Sequence, residues 1–206
     1  ILRKLINNEN HKMFGCKRLE NCNNFKRVLE VDQAPIGKTS RSCPATYIGF
    51  YDDIRGLFSQ TQESQKRGYT SSRFSFNTKT GRCSNCEGQG FKKVEMSFLP
   101  NVRVLCDSCN GLRFNLETLS VLYRGKNIGE ILLMTVNDAY AFFSSHKKIS
   151  NALKFLKDIG LGYLNLGQHS STLSGGEAQR LKLVTELIKS SFDNRFGKRT
   201  ETIETL

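Results

Sequence analysis

The sequence predicts an α+β fold that is mainly helical and carries one inserted β-hairpin. Apolar residues recur at helical spacing through the second half of the chain, which favours helices there. Two Cys-x-x-Cys pairs flank a stretch whose apolar residues alternate, as in a hairpin. With 206 residues, the chain is long enough to bury a core as one domain or two small ones.

The composition indicates a polyanion as partner. The net charge is +12, from 31 basic and 19 acidic residues, and such a balance favours nucleic acid without specifying which one. The sequence has no run of 18 apolar residues and no N-terminal signal pattern, so we expect a cytoplasmic protein with no membrane partner. In a reducing compartment, regularly spaced cysteines are more often metal ligands than disulfides.

Four of the cysteines have the spacing of a zinc site. Cys83-x2-Cys86 and Cys106-x2-Cys109 are separated by 19 residues, which predicts one structural, four-thiolate zinc per chain. The alternative is four buried thiols or oxidation-prone pairs. Nearby glycines allow the tight turns that point two sulfurs at one ion: Gly88, Gly90 and Gly111. The other three cysteines form no such pattern and are expected to be ordinary thiols: Cys16, Cys22 and Cys43.

The segment between the two pairs predicts the hairpin. Apolar residues alternate with polar ones up to Phe98 and again from Val102 to Cys106, and Pro100-Asn101 is expected to form the turn.

Helical spacing predicts the remaining elements. One helix is expected from Tyr47 to Phe58, ending near Ser59, followed by a polar linker over residues 60–80. Shorter elements precede it, namely a helix at 1–13, a basic loop at 14–27 and a strand at Val28–Val31. Three helices are expected after Gly125, at Asn127–Leu133, Val136–Ser145 and Ile149–Ile159.

The stretch LSGGEAQR, from Leu173 to Arg180, begins a long amphipathic helix that is expected to end at Ser190-Ser191. Gly175 and Gly176 leave backbone N–H groups unshielded at the positive end of the helix dipole, which favours an anion such as phosphate. The alternative is a ligand-free capping box, in which Ser174 and Glu177 satisfy each other's backbone amides.

Two parts of a nucleotide-hydrolysing site are missing from the sequence. Gly37-Lys38-Thr39 resembles the end of a phosphate-binding loop, but Asp32 stands where its first glycine belongs. No apolar strand ending in acidic residues follows the last helix. We therefore expect the isolated chain to be inactive in ATP hydrolysis, with no catalytic residues of its own.

LSGGEAQR resembles the signature motif of ABC-type ATPases, and its glutamate form resembles that of the UvrA family of bacterial nucleotide excision repair. The resemblance extends over residues 28–190, colinear with the second nucleotide-binding half of the family. The segments that carry it are 31–55, 67–91, 95–119 and 160–183.

The resemblance implies roles for five residues toward ATP and Mg²⁺ in the full-length assembly. Gln33 matches the glutamine of the Q-loop, which contacts the metal or the attacking water. Ser174, Gly175 and Gly176, with Glu177, would contact the γ-phosphate of a nucleotide bound by the other half. The implied partners are that second nucleotide-binding half, a UvrB-type repair subunit, a second copy of the full-length protein and damaged double-stranded DNA.

The resemblance also implies a division of the chain. Residues 1–32 would form an edge of the nucleotide-binding core, 33–80 the Q-loop and the start of a signature subdomain, 81–120 the zinc hairpin, 121–191 the helical signature subdomain and 192–206 a tail. Basic residues in 38–82 are interleaved with aromatic ones, and Lys38 and Arg41 are the predicted contacts to DNA phosphates. The alternative is a scattered basic surface around core aromatics.

Two other classes of function remain open at this point. CSNCEGQG fits the cysteine-rich repeat of DnaJ-type chaperones, which predicts a polypeptide-binding module, although CDSCNGLR fits that repeat imperfectly. The second alternative is a free-standing nucleic-acid-binding zinc ribbon. Neither alternative needs LSGGEAQR, so this motif favours the ATPase.

Overall fold

A computed structural model describes residues 28, 31–37, 39, 41–96 and 99–195. The helix predicted at 1–13, the basic loop at 14–27, Lys38 and the two cysteines Cys16 and Cys22 lie outside the described residues. The chain divides into two compact units. One is Gln33–Ile188, and the other combines Ile1–Asp32 with Lys189–Leu206. Of the second unit, only residues 28, 31, 32 and 189–195 are described.

The described part contains eight α-helices and one β-hairpin. The hairpin consists of β1 (Phe91–Met96) and β2 (Leu99–Leu105), and single 3-10 turns lie at Ser71–Phe74 and Ser170–Thr172. The helices are α1 (Pro44–Ile48), α2 (Tyr51–Ser59), α3 (Gln62–Lys66), α4 (Leu116–Leu119), α5 (Ile128–Leu133), α6 (Val136–Phe142), α7 (Lys147–Asp158) and α8 (Gly175–Arg195). None of these helices has both the length and the apolar character needed to cross a bilayer.

The three helices predicted after Gly125 are confirmed, and their caps explain where they begin. Asn127 and Glu130 form a capping box at the start of α5, and the Thr135 hydroxyl accepts a hydrogen bond from the Asp138 amide at the start of α6. Gly160, with a φ of 78°, follows the end of α7. The helix α6 ends at Phe142, three residues earlier than predicted.

Two predicted helix boundaries were wrong. The predicted helix from Tyr47 to Phe58 is two helices, because Gly49 takes a left-handed conformation (φ 99°) that ends α1, although the predicted end at Ser59 is confirmed. The helix α8 does not end at Ser190-Ser191 but continues to Arg195. Serine alone is a weak helix terminator, since neither glycine nor proline follows it there.

The predicted linker at 60–80 was also wrong, because this segment packs into the core. Phe74 and Phe76 are fully buried, and the Phe74 ring lies 5.4 Å from that of Phe58. The Tyr51 hydroxyl donates a hydrogen bond to the Phe74 carbonyl at 2.8 Å. The polar composition of the segment indicated a linker, but its two buried phenylalanines fix it to the core. The polar residues around them form short helical turns.

The strands pair antiparallel, with Phe91 opposite Leu105 and Met96 opposite Leu99. The predicted turn at Pro100-Asn101 was wrong, because both residues lie within β2, whose first residue, Leu99, already pairs with Met96. This hairpin is the only sheet in the described part of the chain. The predicted strand at 28–31 is not seen at Val28 or Val31, and its two central residues lie outside the description.

One hydrophobic core joins the helices of the unit Gln33–Ile188. It contains residues from α2, the 60–80 segment, α5, α6, α7 and α8, among them Ile54, Phe58, Phe74, Phe76, Phe114, Ile131, Phe143, Leu153, Leu156, Leu166 and Leu181. The four cysteines form a separate small cluster at the foot of the hairpin. The hairpin strands therefore owe their position to the cysteine cluster and to contacts at their base.

Candidate functional site

The four predicted ligands lie together. The sulfurs of Cys83, Cys86, Cys106 and Cys109 are all within 4.8 Å of one another, and each residue is at most 4% exposed. Two Sγ–Sγ distances are 3.9 Å, for Cys83 and Cys106, and 3.6 Å, for Cys86 and Cys109. A tetrahedral zinc with Zn–S bonds of about 2.3 Å requires sulfurs about 3.8 Å apart. The donor set and its spacing therefore fit a zinc ion with four protein ligands and no open position.

Two equivalent knuckles build this cluster, related by an offset of 23 residues. The Cys83 amide donates to the Arg113 carbonyl at 2.8 Å, and the Cys106 amide donates to the Gly90 carbonyl at 3.0 Å. Each knuckle has left-handed residues directly after its second cysteine. A Cβ at Gly88 would lie 2.2 Å from the Phe76 carbonyl oxygen, so this turn excludes any side chain. The predicted tight turns are thus observed at the glycines.

Of the four thiols, the surroundings most favour the thiolate form at Cys106. Burial raises the pKa of Cys106, but hydrogen bonds to its sulfur from the amides of Ser108 and Cys109 and from the neighbouring thiols together outweigh burial and lower the pKa to about 7. Burial raises the pKa of Cys86 and Cys109. A bound cation would stabilise the thiolates at all four positions.

The tip of α8 is exposed to solvent at Ser174 and Gly176, while Gly175 is half-buried. The predicted capping box is formed: the Glu177 amide donates to the Ser174 hydroxyl at 3.3 Å, and the Ser174 amide donates to the Glu177 carboxylate at 2.7 Å. The amides of Gly175 and Gly176 make no hydrogen bond to any described residue. The tip is therefore both a capped helix start and an accessible pair of donors.

Tyr163 holds the capping carboxylate in place. Its hydroxyl donates to Glu177, and this hydrogen bond is the main reason that the pKa of Glu177 lies below its ordinary value. Glu177 is therefore an anion at neutral pH. Its negative charge favours the helix N-terminus but would repel a phosphate placed beside it.

Gln33 lies against the helix tip. A Cβ built at Gly175 would meet the Gln33 side chain at 3.3 Å, and the Gln33 amide lies 3.5 Å from the Gln179 side-chain oxygen. The Lys182 ammonium donates to the Ala34 carbonyl at 2.8 Å, which fixes the same loop to α8. The fold thus brings together Gln33 and the 174–177 segment, which are far apart in sequence.

The predicted phosphate contacts are only partly described. Arg41 is half-buried, lies 3.3 Å from the Glu87 carboxylate and borders an open polar cavity of about 280 Å³. Glu87 also pairs with Arg82 at 3.6 Å. The aromatics Phe74 and Phe76 are core residues, as the alternative interpretation held. Three further arginines pair with carboxylates: Arg55 with Asp52, Arg67 with Glu63 and Arg73 with Glu117.

Sequence reasoning missed Arg113 and His169. Arg113 is 5% exposed, and its guanidinium donates to the Gly167 carbonyl and lies 2.8 Å from His169 Nε2. The available signal was the offset of the repeat, since Arg113 occupies the place that Gly90 has in the first knuckle. Nothing local in the sequence pointed to His169.

Comparison with known proteins shows that the chain is similar to part of several bacterial proteins of one name. It is 52% identical over 200 residues to UvrABC system protein A of Streptococcus mutans, covering 95% of this chain and 21% of that protein. It is 54% identical over 180 residues to the Aquifex aeolicus protein of the same name, covering 87% and 19%. The crystal structure of UvrA2 from Deinococcus radiodurans matches with a TM-score of 0.77 at 52% identity, over 82% of this chain and 21% of that one.

The chain thus spans about a fifth of the length of these relatives. No protein-family model matches it.

Proposed function

Because the chain belongs to the UvrA family, we propose that it is a segment of a DNA-damage-recognition ATPase of nucleotide excision repair. The family acts in nucleotide excision repair, and the segment would correspond to its second nucleotide-binding half. Its contribution would be a signature helix, a Q-loop glutamine, a structural zinc site and contacts to the DNA backbone.

The observation that carries this proposal is the open tip of α8. Gly175 and Gly176 present two backbone donors at a helix N-terminus, with Gln33 beside them. In an ATPase of this kind, they would contact the γ-phosphate of ATP, with its Mg²⁺, bound by a different nucleotide-binding half. The Glu177 carboxylate would then remain engaged with Ser174 and Tyr163, turned away from the phosphate.

The zinc site would be structural. The ion would be held by four sulfurs, those of Cys83, Cys86, Cys106 and Cys109. It would cross-link the two knuckles, which no disulfide joins. The hairpin between them would then project from a rigid base toward a ligand.

Duplex DNA is the proposed ligand, recognised without base-specific contacts. The net charge of +12 supports it, as does the position of Lys38 and Arg41 in a basic segment. A UvrB-type subunit and a second copy of the full-length protein are the proposed protein partners.

The experiment uses the complete protein that contains this segment. Gly176→Asp places a carboxylate at the helix tip, where a Cβ meets nothing within 4 Å, so the fold is expected to tolerate it. ATP hydrolysis should fall at least about tenfold, because the new charge repels phosphate. Gly56→Ala, on α2 and equally free of close neighbours, is the matched control and should leave hydrolysis unchanged.

Unchanged ATP hydrolysis in the Gly176→Asp protein would refute the nucleotide-contacting role. An absence of hydrolysis in the parent protein would refute the ATPase assignment itself.

A further inference from the structure

The loop at Gly167–Thr172, which we name the 167–172 loop, leads directly into the tip of α8. The Gly167 amide donates to the Leu132 carbonyl at 2.7 Å, and the Ser170 amide donates to the Ser42 carbonyl at 2.9 Å. After Thr172, a single residue separates the loop from Ser174. A displacement of this loop would therefore move the start of the signature helix.

The base of the hairpin contacts this loop from the other side. The Phe91 ring meets the His169 ring edge-on, with centroids 4.8 Å apart at 74°. The Arg103 guanidinium lies over the Phe91 ring and donates to the Ser171 hydroxyl at 3.3 Å. Both strands thus contact the 167–172 loop directly.

The second zinc knuckle adds a third contact. The Arg113 guanidinium lies over the Phe76 ring at 5.1 Å and donates to the Gly167 carbonyl. It also lies 2.8 Å from His169 Nε2. Because a guanidinium has donors only, the Nε2 atom accepts and the ring proton lies on Nδ1. His169 is therefore held in one tautomer and one orientation.

Further along the hairpin, the side chains of residues 93, 94 and 102–105 are exposed. Val94, Val102 and Val104 are 43–46% exposed although they are apolar, and the strands also carry basic residues on the way to the tip. If a ligand displaced the hairpin, the displacement would reach the rest of the described molecule through the base of the hairpin. That base is formed by the cysteine cluster and the contacts to the 167–172 loop.

We propose that His169 is a positioning residue that couples duplex DNA on the hairpin to the signature helix tip. Displacing the hairpin shifts the Phe91 and Arg113 contacts to His169, and the loop carries the shift to Ser174. DNA would thereby change the rate of ATP hydrolysis. This inference rests on the proposed function, since it requires both ligands.

The test measures, in the complete protein, the ratio of kcat for ATP hydrolysis with a saturating linear duplex DNA to kcat without it. His169→Leu removes the acceptor and the ring, and should reduce the departure of this ratio from one by at least about fivefold. His169→Gln restores an acceptor to Arg113 and should recover most of the coupling. His146→Leu is the matched control, because His146 also pairs through Nε2, with Tyr123 at 2.6 Å, but lies outside the loop.

Zinc content and melting temperature are measured for every variant. Phe91→Leu, at the half-buried hairpin base, removes only the ring contact and provides a second variant if His169→Leu loses zinc. A parent ratio that differs from one, with unaltered ratios in zinc-loaded His169→Leu or Phe91→Leu, would overturn the coupling and leave the proposed function standing. A parent ratio of one would overturn the coupling alone, whereas a parent protein without ATP hydrolysis would overturn both the coupling and the proposed function.

Discussion

Arg113 adopts the backbone conformation that Gly90 adopts in the other cysteine knuckle, with φ angles of 72° and 81°. The two residues are 23 positions apart, as are the paired cysteines. An arginine in the left-handed region is strained, whereas glycine is not. The second knuckle retains this strain together with the contacts that the guanidinium makes to the 167–172 loop.

The strain at Arg113 predicts that truncation to glycine is less destabilising than truncation to alanine, the reverse of the order expected within a helix. Arg113→Gly and Arg113→Ala both remove the guanidinium, but only alanine keeps a Cβ at positive φ. We expect the glycine variant to be more stable by about 0.5–1 kcal/mol, after allowing for the greater entropy of unfolded glycine. Denaturant unfolding of the zinc-loaded protein measures the difference. At Gly56, within α2, alanine should instead be the more stable residue, and a stability advantage for Arg113→Ala would contradict the strain.

Zinc content provides a second prediction. The protein should contain about one zinc per chain, and Cys109→Ser should remove it and lower the melting temperature, because the sulfurs hold the knuckles together. Elemental analysis of the purified protein measures this. Cys43→Ser is the matched control, since Cys43 is equally buried but lies outside the cluster. Full zinc occupancy together with an unchanged melting temperature in Cys109→Ser would contradict the role of the fourth sulfur in joining the knuckles.

The pH dependence of the helix cap follows from Glu177. Its pKa is lowered in the folded protein, so the stabilisation by its charge is complete above the ordinary glutamate pKa and is lost as pH falls through the lowered pKa. Tyr163→Phe removes the main cause and should raise the pKa toward its ordinary value. Side-chain carboxyl NMR shifts followed through an acid titration report it. An identical titration curve in Tyr163→Phe would exclude the hydroxyl as the cause.

Duplex binding should depend on the charges of Lys38 and Arg41. Reversing both to glutamate should weaken affinity and reduce the slope of log K against log salt by about 2, one phosphate per residue. Glu87→Gln is the opposite control, because it releases Arg41 and Arg82 from their shared carboxylate and should strengthen binding. Fluorescence anisotropy across a salt series measures both. A slope unaffected by the double reversal would place the DNA elsewhere.

The sequence predicted most reliably where a local signal decided the structure. Asn127 and Thr135 cap their helices through side chains only three residues from their partners, so α5 and α6 began where expected. The prediction of a linker at 60–80 was wrong because it followed the polar composition of the segment. The burial of Phe74 and Phe76 depends on partners elsewhere in the chain, such as Phe58 and Phe114. The hairpin turn was misplaced because register depends on which residues pair, and Met96 pairs with Leu99.

The sequence by itself determined that four cysteines would cluster, that α8 would begin with a capped pair of glycines, and which family the chain resembles. Each of these features depends on a short motif with fixed spacing. The tertiary structure decided which distant residues meet: Gln33 at Gly175, Tyr163 at Glu177, and Arg113 at His169. Spacing along a chain defines local geometry, whereas contacts across it arise only when one core brings separate segments into register. For that reason the four cysteines and the tip of α8 could be predicted from the sequence. The contacts between the hairpin base and the 167–172 loop could not.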